Sequence, residues 1–244
     1  MIQLIWYTKY VMSIYKIADL YISVSPRYEF TKEYLKAYQS DSTYYDFEIT
    51  ITDEMLEYEK KVSLEENTEK YYEPMAILRV ICDKLTDYDG FFLHSSTLMY
   101  KDNAYVFIGE SGTGKSTHAR LWREYLKDEV RMINDDKPII RKKDDLYYIY
   151  GTPYMGKHNI GNNISFPIKA VFLLEQSKDN KLEKLDAVKA TTALLHQTII
   201  PNQKESMEKL LTMFNELLKQ AQFYKLKCNI SYDAVKTILN NLEI

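Results

Sequence analysis

The nine residues GESGTGKST, Gly109 to Thr117, constrain this chain more than any others. They complete the pattern G-x-x-x-x-G-K-[ST] through Gly109, Gly114, Lys115 and Ser116. A strand-like run, Ala104 to Ile108, leads in, and the helix former HARLWREYLK leads out with Leu121, Tyr125 and Leu126 on one side. Successive backbone N–H groups of such a loop turn inward and cradle phosphate oxygens. Lys115 would bring a compact positive charge to the β- and γ-phosphates, and the Ser116 hydroxyl would ligate Mg²⁺. The new helix would aim its N-terminal dipole at the anion. The expected binding set is Gly109, Ser111, Gly112, Thr113, Gly114, Lys115, Ser116 and Thr117, and the expected ligand is ATP with Mg²⁺.

All seven glycines fall between Gly90 and Gly161, which marks the stretch where ligand-handling loops are to be sought. Within it, Phe91 to Tyr100 and Ala104 to Ile108 read as a hairpin joined by Lys101, Asp102 and Asn103. About twenty residues beyond Lys115 comes VRMINDDKPII. Val130, Met132 and Ile133 look like a buried strand delivering Asn134, Asp135 and Asp136 at its end. One carboxylate of that pair suits a magnesium shell and the other suits taking a proton from an attacking hydroxyl. Ser116 and Asp136 are the expected metal ligands, although the sequence leaves open which aspartate does which job. A plain turn is the alternative, since Asn-Asp-Asp before Lys-Pro is good turn chemistry. The loop from Gly151 to Asn163, with three glycines, suits a segment closing over phosphates, with Lys157 as its phosphate-neutralising cation. His118 sits where it would either face a nucleotide or pack, and His196 reads as part of a packed helix.

Residues 1–88 read as a small α+β lobe, and 89–244 as a phosphate-loop domain with C-terminal helices. In the lobe, Lys16 to Ser25 and Tyr45 to Thr52 are strand-like. Asp53 to Val62 and Pro74 to Leu85 are helical, the latter through Met75, Leu78, Ile81 and Leu85. Thirteen of the 22 tyrosines lie here, and a tyrosine-rich core and rim explains them better than a stacking surface. Downstream, Ala170 to Leu174 and Phe223 to Cys228 are strand-like, while Asp186 to Ile199 and Gln203 to Gln220 are helical. Ser231 is the expected cap of a last helix. The stripe Met207, Leu210, Leu211 and Phe214 reads as core or as a homo-oligomer contact.

The segment 91–176 resembles the HPr kinase/phosphorylase-like group of P-loop kinases, related in nucleotide-domain fold to phosphoenolpyruvate carboxykinase. The resemblance rests on FFLHSSTLMY, the strand entering GESGTGKST, and the acidic pair in INDDKP. It implies an α/β kinase fold and ATP-dependent phosphorylation of a serine-like hydroxyl. It also implies that His94, on a strand, lies near the transferred phosphate, beside Asp135, Asp136 and Lys115 as the catalytic set. The stretch YGTPYMGKHNIGNN looks like that of a divergent HPr-kinase-related subgroup. Where bacterial HPr kinases carry a glutamate- and arginine-containing signature, this chain has Gly151, Thr152, Pro153, Tyr154, Gly156 and Lys157. The resemblance therefore does not carry HPr itself across as substrate.

A net charge of -3 argues against a general nucleic-acid binder. No apolar run approaches the roughly 18 residues of a membrane span, and MIQLIWYTKYVM reads as folded N-terminus. Cys82 and Cys228 are far apart without metal-type spacing, so a reducing cytoplasm is the default. The expected partner is a hydroxyl-bearing peptide, protein or small molecule. A nucleotide-gated binding module without transfer is the alternative; carbon-centred chemistry is disfavoured, since no separate metal constellation is recognisable.

Overall fold

Ala18 and Asp19 take positive φ of 51° and 58°, so the run Lys16 to Ser25 is two strands rather than one. The chain reverses there between β1 (Ser13–Ile17) and β2 (Leu20–Val24). The computed structural model describes residues 12–63 and 68–242, and the expected folded segment at the extreme N-terminus lies outside the described residues but for Met12. Two units are distinguished, 1–81 and 82–244, with the division falling inside a helix rather than at the 88/89 boundary read from sequence.

In the first unit, β3 (Gln39–Ser40) and β4 (Phe47–Ile49) complete a four-stranded sheet of order β3-β1-β2-β4. Helix α1 (Glu29–Leu35) has no side-chain cap of its own at Tyr28. Buried Glu73 instead fixes the chain just ahead of the helix, accepting from the N–H groups of Arg27 at 2.7 Å and Tyr28 at 3.2 Å. Helix α2 (Asp53–Val62) is opened by Thr52 rather than Asp53, the Thr52 hydroxyl accepting from Met55 N–H. Helix α3 (Glu69–Leu85) begins before Pro74, which is carried inside it. Tyr15, Tyr38 and Tyr72 are buried while Tyr44, Tyr58 and Tyr71 are exposed, so tyrosine here serves both core and rim.

The second unit is built on strand alternation. Strands β5 (Gly90–Phe92) and β6 (Ser96–Tyr100) are separate, because the chain leaves the sheet at Leu93–Ser95. A two-residue turn at Lys101–Asp102 joins β6 to β7 (Asn103–Ile108). Next come α4 (Lys115–Leu126), β8 (Val130–Asn134), and the hairpin β9 (Ile139–Lys143) with β10 (Leu146–Tyr150). The long β11 (Ser165–Gln176) pairs with β10 at its start and with β7 from Ile168 to Leu173. Then follow β12 (Lys181–Lys184), α5 (Ala187–His196), α6 (Lys204–Gln220), β13 (Gln222–Cys228) and α7 (Tyr232–Asn241). The strands make one curled sheet of order β5-β9-β10-β11-β7-β6-β8, with β13 parallel to β11 and β12 outside β13.

Both faces of β7 are buried, as expected for a strand in the middle of an α/β sandwich. Ala104, Val106 and Ile108 face α5 and α6 through Leu194, Leu210 and Phe214. Tyr105 and Phe107 face α4 and α7 through Trp122, Val235 and Ile238. Leu210 and Phe214 of the α6 stripe are fully buried, and the partly buried Met207 and Leu211 pack against the same core. Tyr125, expected on the inner face of α4, is exposed; Ala119 and Trp122 take that face. His196 is likewise exposed. Ser231 occupies the N-cap of α7 without bonding its N–H groups, since its hydroxyl donates to Asn229 at 2.6 Å. Among the described residues, no helix is long and apolar enough to cross a membrane.

Candidate functional site

The loop between β7 and α4 takes its shape from three glycines at positive φ: Gly109 at 146°, Gly112 at 82° and Gly114 at 100°. Gly114 is the N-cap of α4 and sits in the left-handed region, where a side chain would cost about 1–2 kcal/mol. Lys115 folds back over the loop, its Nζ donating to the carbonyl of Gly109 at 2.9 Å and of Glu110 at 3.3 Å. Those carbonyls satisfy the ammonium where phosphate oxygens would otherwise meet it. Burial, the largest influence, pushes the Lys115 pKa down, and the charges of Asp136 and Asp135 partly oppose it. Thr113 closes the turn with a 2.8 Å bond to Glu110 O. Ser116 and Ser111 are exposed, and Thr117 is half-buried.

The acidic pair leaves the end of β8 under the control of Asn134, which is fully buried. Its carbonyl oxygen accepts from the backbone N–H of Asp136 at 2.9 Å and Lys137 at 2.8 Å. Its amide donates to Thr152 at O and Oγ1, 3.0 and 3.1 Å away. One side chain thus bends the chain into the turn and ties it to the Gly151–Asn163 loop. The turn is real, and it serves to present the two aspartates in different surroundings.

Asp135 accepts from Ser96 Oγ at 2.5 Å, and the Ser116 hydroxyl at the head of α4 is close enough to help lower its pKa. Desolvation raises its pKa despite those two hydroxyls and the charge of Arg123. A carboxylate in that condition, sharing the hydroxyl of the phosphate-loop serine, is the donor set a hard divalent cation uses. Asp136 points elsewhere: His94 Nε2 lies 3.2 Å from its Oδ1, and Lys137 Nζ bonds its Oδ2. Desolvation is the largest influence on Asp136 too, but His94 and Lys137 together outweigh it and hold its pKa below the usual carboxylate value. Asp135, rather than the expected Asp136, is therefore the aspartate beside Ser116.

His94 lies in the break between β5 and β6 rather than on a strand, its N–H donating to Gln197 O at 2.7 Å. That break is what leaves the ring half-exposed beside Asp136. His118 packs inside: it is 2% exposed, stacks edge-on to Phe107, and accepts from the Trp122 indole at 3.1 Å. Burial pushes its pKa down to about 3, so it is a neutral ring.

The Gly151–Asn163 segment is pinned more firmly than its glycines suggest. Asn162 N–H donates to Ile133 O and its side chain to Met132 O, and Gly161 bridges Asn134. Gly151 is glycine because that crossing is close: a Cβ there would stand 1.9 Å from Asn162 O and 2.7 Å from Ile133 O. Residues 151–154 are buried, whereas the tip 156–159, which includes Lys157 and His158, is exposed, as are Asn162 and Asn163. A Cβ on Gly156 would come within 3.0 Å of Asp136 Cβ, so the tip runs over that aspartate.

Beside the phosphate loop lies a cavity of about 380 Å³, bounded by α4 and by the chain following β11 and β13. A wider cleft of about 660 Å³ between α6 and the β9–β10 turn is far from these groups; ion pairs such as Lys142–Glu216 and Lys209–Asp87 occupy its walls. Sequence reading missed Ser96, Asn134 and Thr152 as parts of the site. Ser96 had a signal in its place two residues after His94, whereas Thr152 had none short of the fold.

Comparison with known proteins gives one family. The family model described as "ScmC: SynChlorMet cassette protein ScmC" matches residues 63–238. Among solved structures, the HPr(Ser) kinase/phosphatase from Coxiella burnetii is similar at 10% identity, covering 61% of this chain and 94% of that chain. Its TM-score of 0.32 carries no argument about chemistry. No curated protein matches the sequence.

Proposed function

The chain belongs to this ScmC family, and from that premise we propose that it is an ATP- and Mg²⁺-dependent phosphotransferase of the P-loop kinase type, acting on a hydroxyl. The observation that carries this reading is the division of labour between two adjacent aspartates beside a complete phosphate loop. The α/β sheet, with the loop at the end of a central strand and a helix starting from it, supports a nucleotide-binding fold of the HPr kinase type.

In this reading the backbone N–H groups of Gly109 to Thr117 and the α4 N-terminus hold the phosphates. Lys115 exchanges its two loop carbonyls for phosphate oxygens and balances the charge that builds on the γ-phosphoryl group. Ser116 and Asp135 would hold Mg²⁺, which would supply further neutralisation of the phosphates. The acceptor oxygen attacks the γ-phosphorus, the bond to the β-phosphate oxygen breaks, and ADP leaves. Asp136 takes the acceptor proton as that oxygen attacks. It is ionised in the neutral range, as any ordinary carboxylate is, and His94 fixes its orientation. The tip at Gly156 and Lys157 covers Asp136 and limits water at that point. The acceptor is a serine-like hydroxyl on a peptide, protein or small molecule.

ADP release from Mg·ATP, with and without a mixed pool of peptides and hydroxylated metabolites, tests this. The expected result is acceptor-stimulated turnover that Lys115→Ala and Asp136→Asn both abolish while Asp136→Asn still binds ATP. ATP binding with no turnover across broad acceptor pools would instead make the chain a nucleotide-gated binding module.

A further inference from the structure

Thr152 is wholly buried and lies outside the phosphate loop, yet its hydroxyl uses every hydrogen-bonding position a hydroxyl has. It donates to Lys137 O at 2.6 Å and accepts from Asn134 Nδ2 at 3.1 Å and from Tyr154 N–H at 3.2 Å. The backbone oxygen of Thr152 accepts from the same Asn134 amide at 3.0 Å. Tyr154 O, in turn, accepts from Lys137 N–H at 3.1 Å. These bonds reach both ends of the turn 134–137, and Asp135 and Asp136 lie between those ends.

Asn134 can serve the turn in one orientation only. Its oxygen has to face the N–H groups of Asp136 and Lys137, so its amide has to face Thr152. An apolar side chain of the same shape at 152 would take one acceptor from that amide and the donor from Lys137 O, in a place closed to water. On the opposite side of the turn, Ser95 N–H donates to Asp136 O at 3.1 Å, and His94 meets the Asp136 carboxyl. The turn is thus held between the 93–95 break and the buried foot 151–154. The second foot of the tip rests on the same strand end, where Gly161 bridges Asn134 and Asn162 N–H donates to Ile133 O at 3.0 Å.

Resting on the phosphotransferase reading above, we propose that Thr152 is a positioning residue for Asp136. Its hydroxyl sets the place of that aspartate through Asn134 and Lys137, and couples the aspartate turn to the foot of the 156–159 tip. Being wholly buried, Thr152 acts through these partners and not by touching phosphate or acceptor. It keeps the proton acceptor and the tip above it in register before an acceptor binds. A misplacement of about 1 Å at a reacting group costs about 10²-fold in rate. Loss of the hydroxyl is therefore felt in the transfer step, while the grip on ATP belongs to the loop from Gly109 to Thr117.

Thr152→Val, which keeps the shape, and Thr152→Ser, which keeps the hydroxyl, test this on the full chain; Thr152→Ala replaces the valine variant if that one does not fold. ADP release is followed with the mixed pool of peptides and hydroxylated metabolites, and Mg·ATP affinity by calorimetry. Thr152→Val is expected to lower acceptor-stimulated kcat about 10–100-fold with the Kd for Mg·ATP within about twofold of wild type. Thr152→Ser is expected to stay within about threefold of wild type in both. Amide exchange adds a readout that needs no acceptor: in Thr152→Val, segments 134–138 and 151–155 are expected to exchange faster together, while 104–108 keeps its protection. Unchanged kcat in Thr152→Val, an equal loss in Thr152→Ser, or faster exchange in one segment alone overturns the positioning role and leaves the phosphotransferase reading standing. A fall in ATP affinity that matches the fall in kcat overturns it as well, since the hydroxyl would then support the fold at large. Wild type without acceptor-stimulated turnover overturns the phosphotransferase reading, and the positioning role with it.

Discussion

Asp135 and Asp136 are neighbours in sequence and opposites in electrostatics. The Asp135 pKa is raised from its ordinary 3.8, chiefly by desolvation, so its ionised form costs the fold free energy at neutral pH. Asp135→Asn removes that cost while keeping a group that Ser96 can bond. Its Tm at pH 7 should exceed that of the wild type, and the gap should close as pH falls below the ordinary value, where the wild-type carboxyl is neutral folded or unfolded. Asp136 has the opposite sign: its pKa is lowered, so its stabilising contribution is present above the ordinary value and fades as pH drops through the folded one. Asp136→Asn should accordingly lower the Tm at pH 7, and thermal melts of both variants across pH 3–8 check the pair. On the proposed mechanism Asp135→Asn also reduces turnover by about 10²–10⁴-fold, whereas Asp136→Asn and Lys115→Ala bring it below detection. The phosphate loop was legible because its residues are contiguous and each type is dictated by backbone geometry or charge. The roles of the two aspartates were not, because the partners that separate them, Ser96, Ser116 and His94, come from other segments of chain.

Among the elements, the Gly151–Asn163 segment departs most from its sequence reading. Three glycines suggest mobility, yet one of them exists for close packing: Gly151 lies against Asn162 O and Ile133 O. Gly151→Ala should therefore destabilise the fold by about 2–3 kcal/mol, as overpacking does. Gly112→Ala offers the control, since an added Cβ there meets nothing within 4 Å. Its cost should be confined to about 1–2 kcal/mol of backbone strain in the phosphate loop, with weaker nucleotide binding as its sign. Chemical denaturation and calorimetry on the two variants separate a packing glycine from a conformational one. Helix positions were mostly legible from apolar spacing, while their entries were not: Glu73 holds the chain entering α1 at Tyr28 from 45 residues away along the chain, which no local pattern contains.

At the scale of the larger unit, 82–244, burial is deepest at the β7–β11 pair. Ala104 to Ile108 and Ala170 to Phe172 are almost wholly enclosed, so their amides should exchange only through global unfolding, whereas residues 156–159 should exchange within the native state. Amide exchange followed by mass spectrometry reads this order directly, and slowing at 156–159 by Mg·ATP would be the mark of that tip closing. The α/β character of residues 89–244 was legible in the alternation of strand-like and helical runs. The curl of the sheet was not, because it depends on β11 pairing first with β10 and then with β13 across a register shift near Ile168. The hairpin turns Ala18–Asp19, Lys101–Asp102 and Asp144–Asp145 all hold positive φ without a glycine. Asn-Gly suits such two-residue turns best, so Lys101→Asn with Asp102→Gly, or Asp144→Asn with Asp145→Gly, should add about 0.5–1 kcal/mol per turn, read from melting curves. The glycines gathered between residues 90 and 161 thus leave unclaimed stability in the exposed turns at 101–102 and 144–145. Once substituted, those turns would offset destabilising change in the phosphate loop, so alteration of the loop, by selection or by design, would start best from the turn variants.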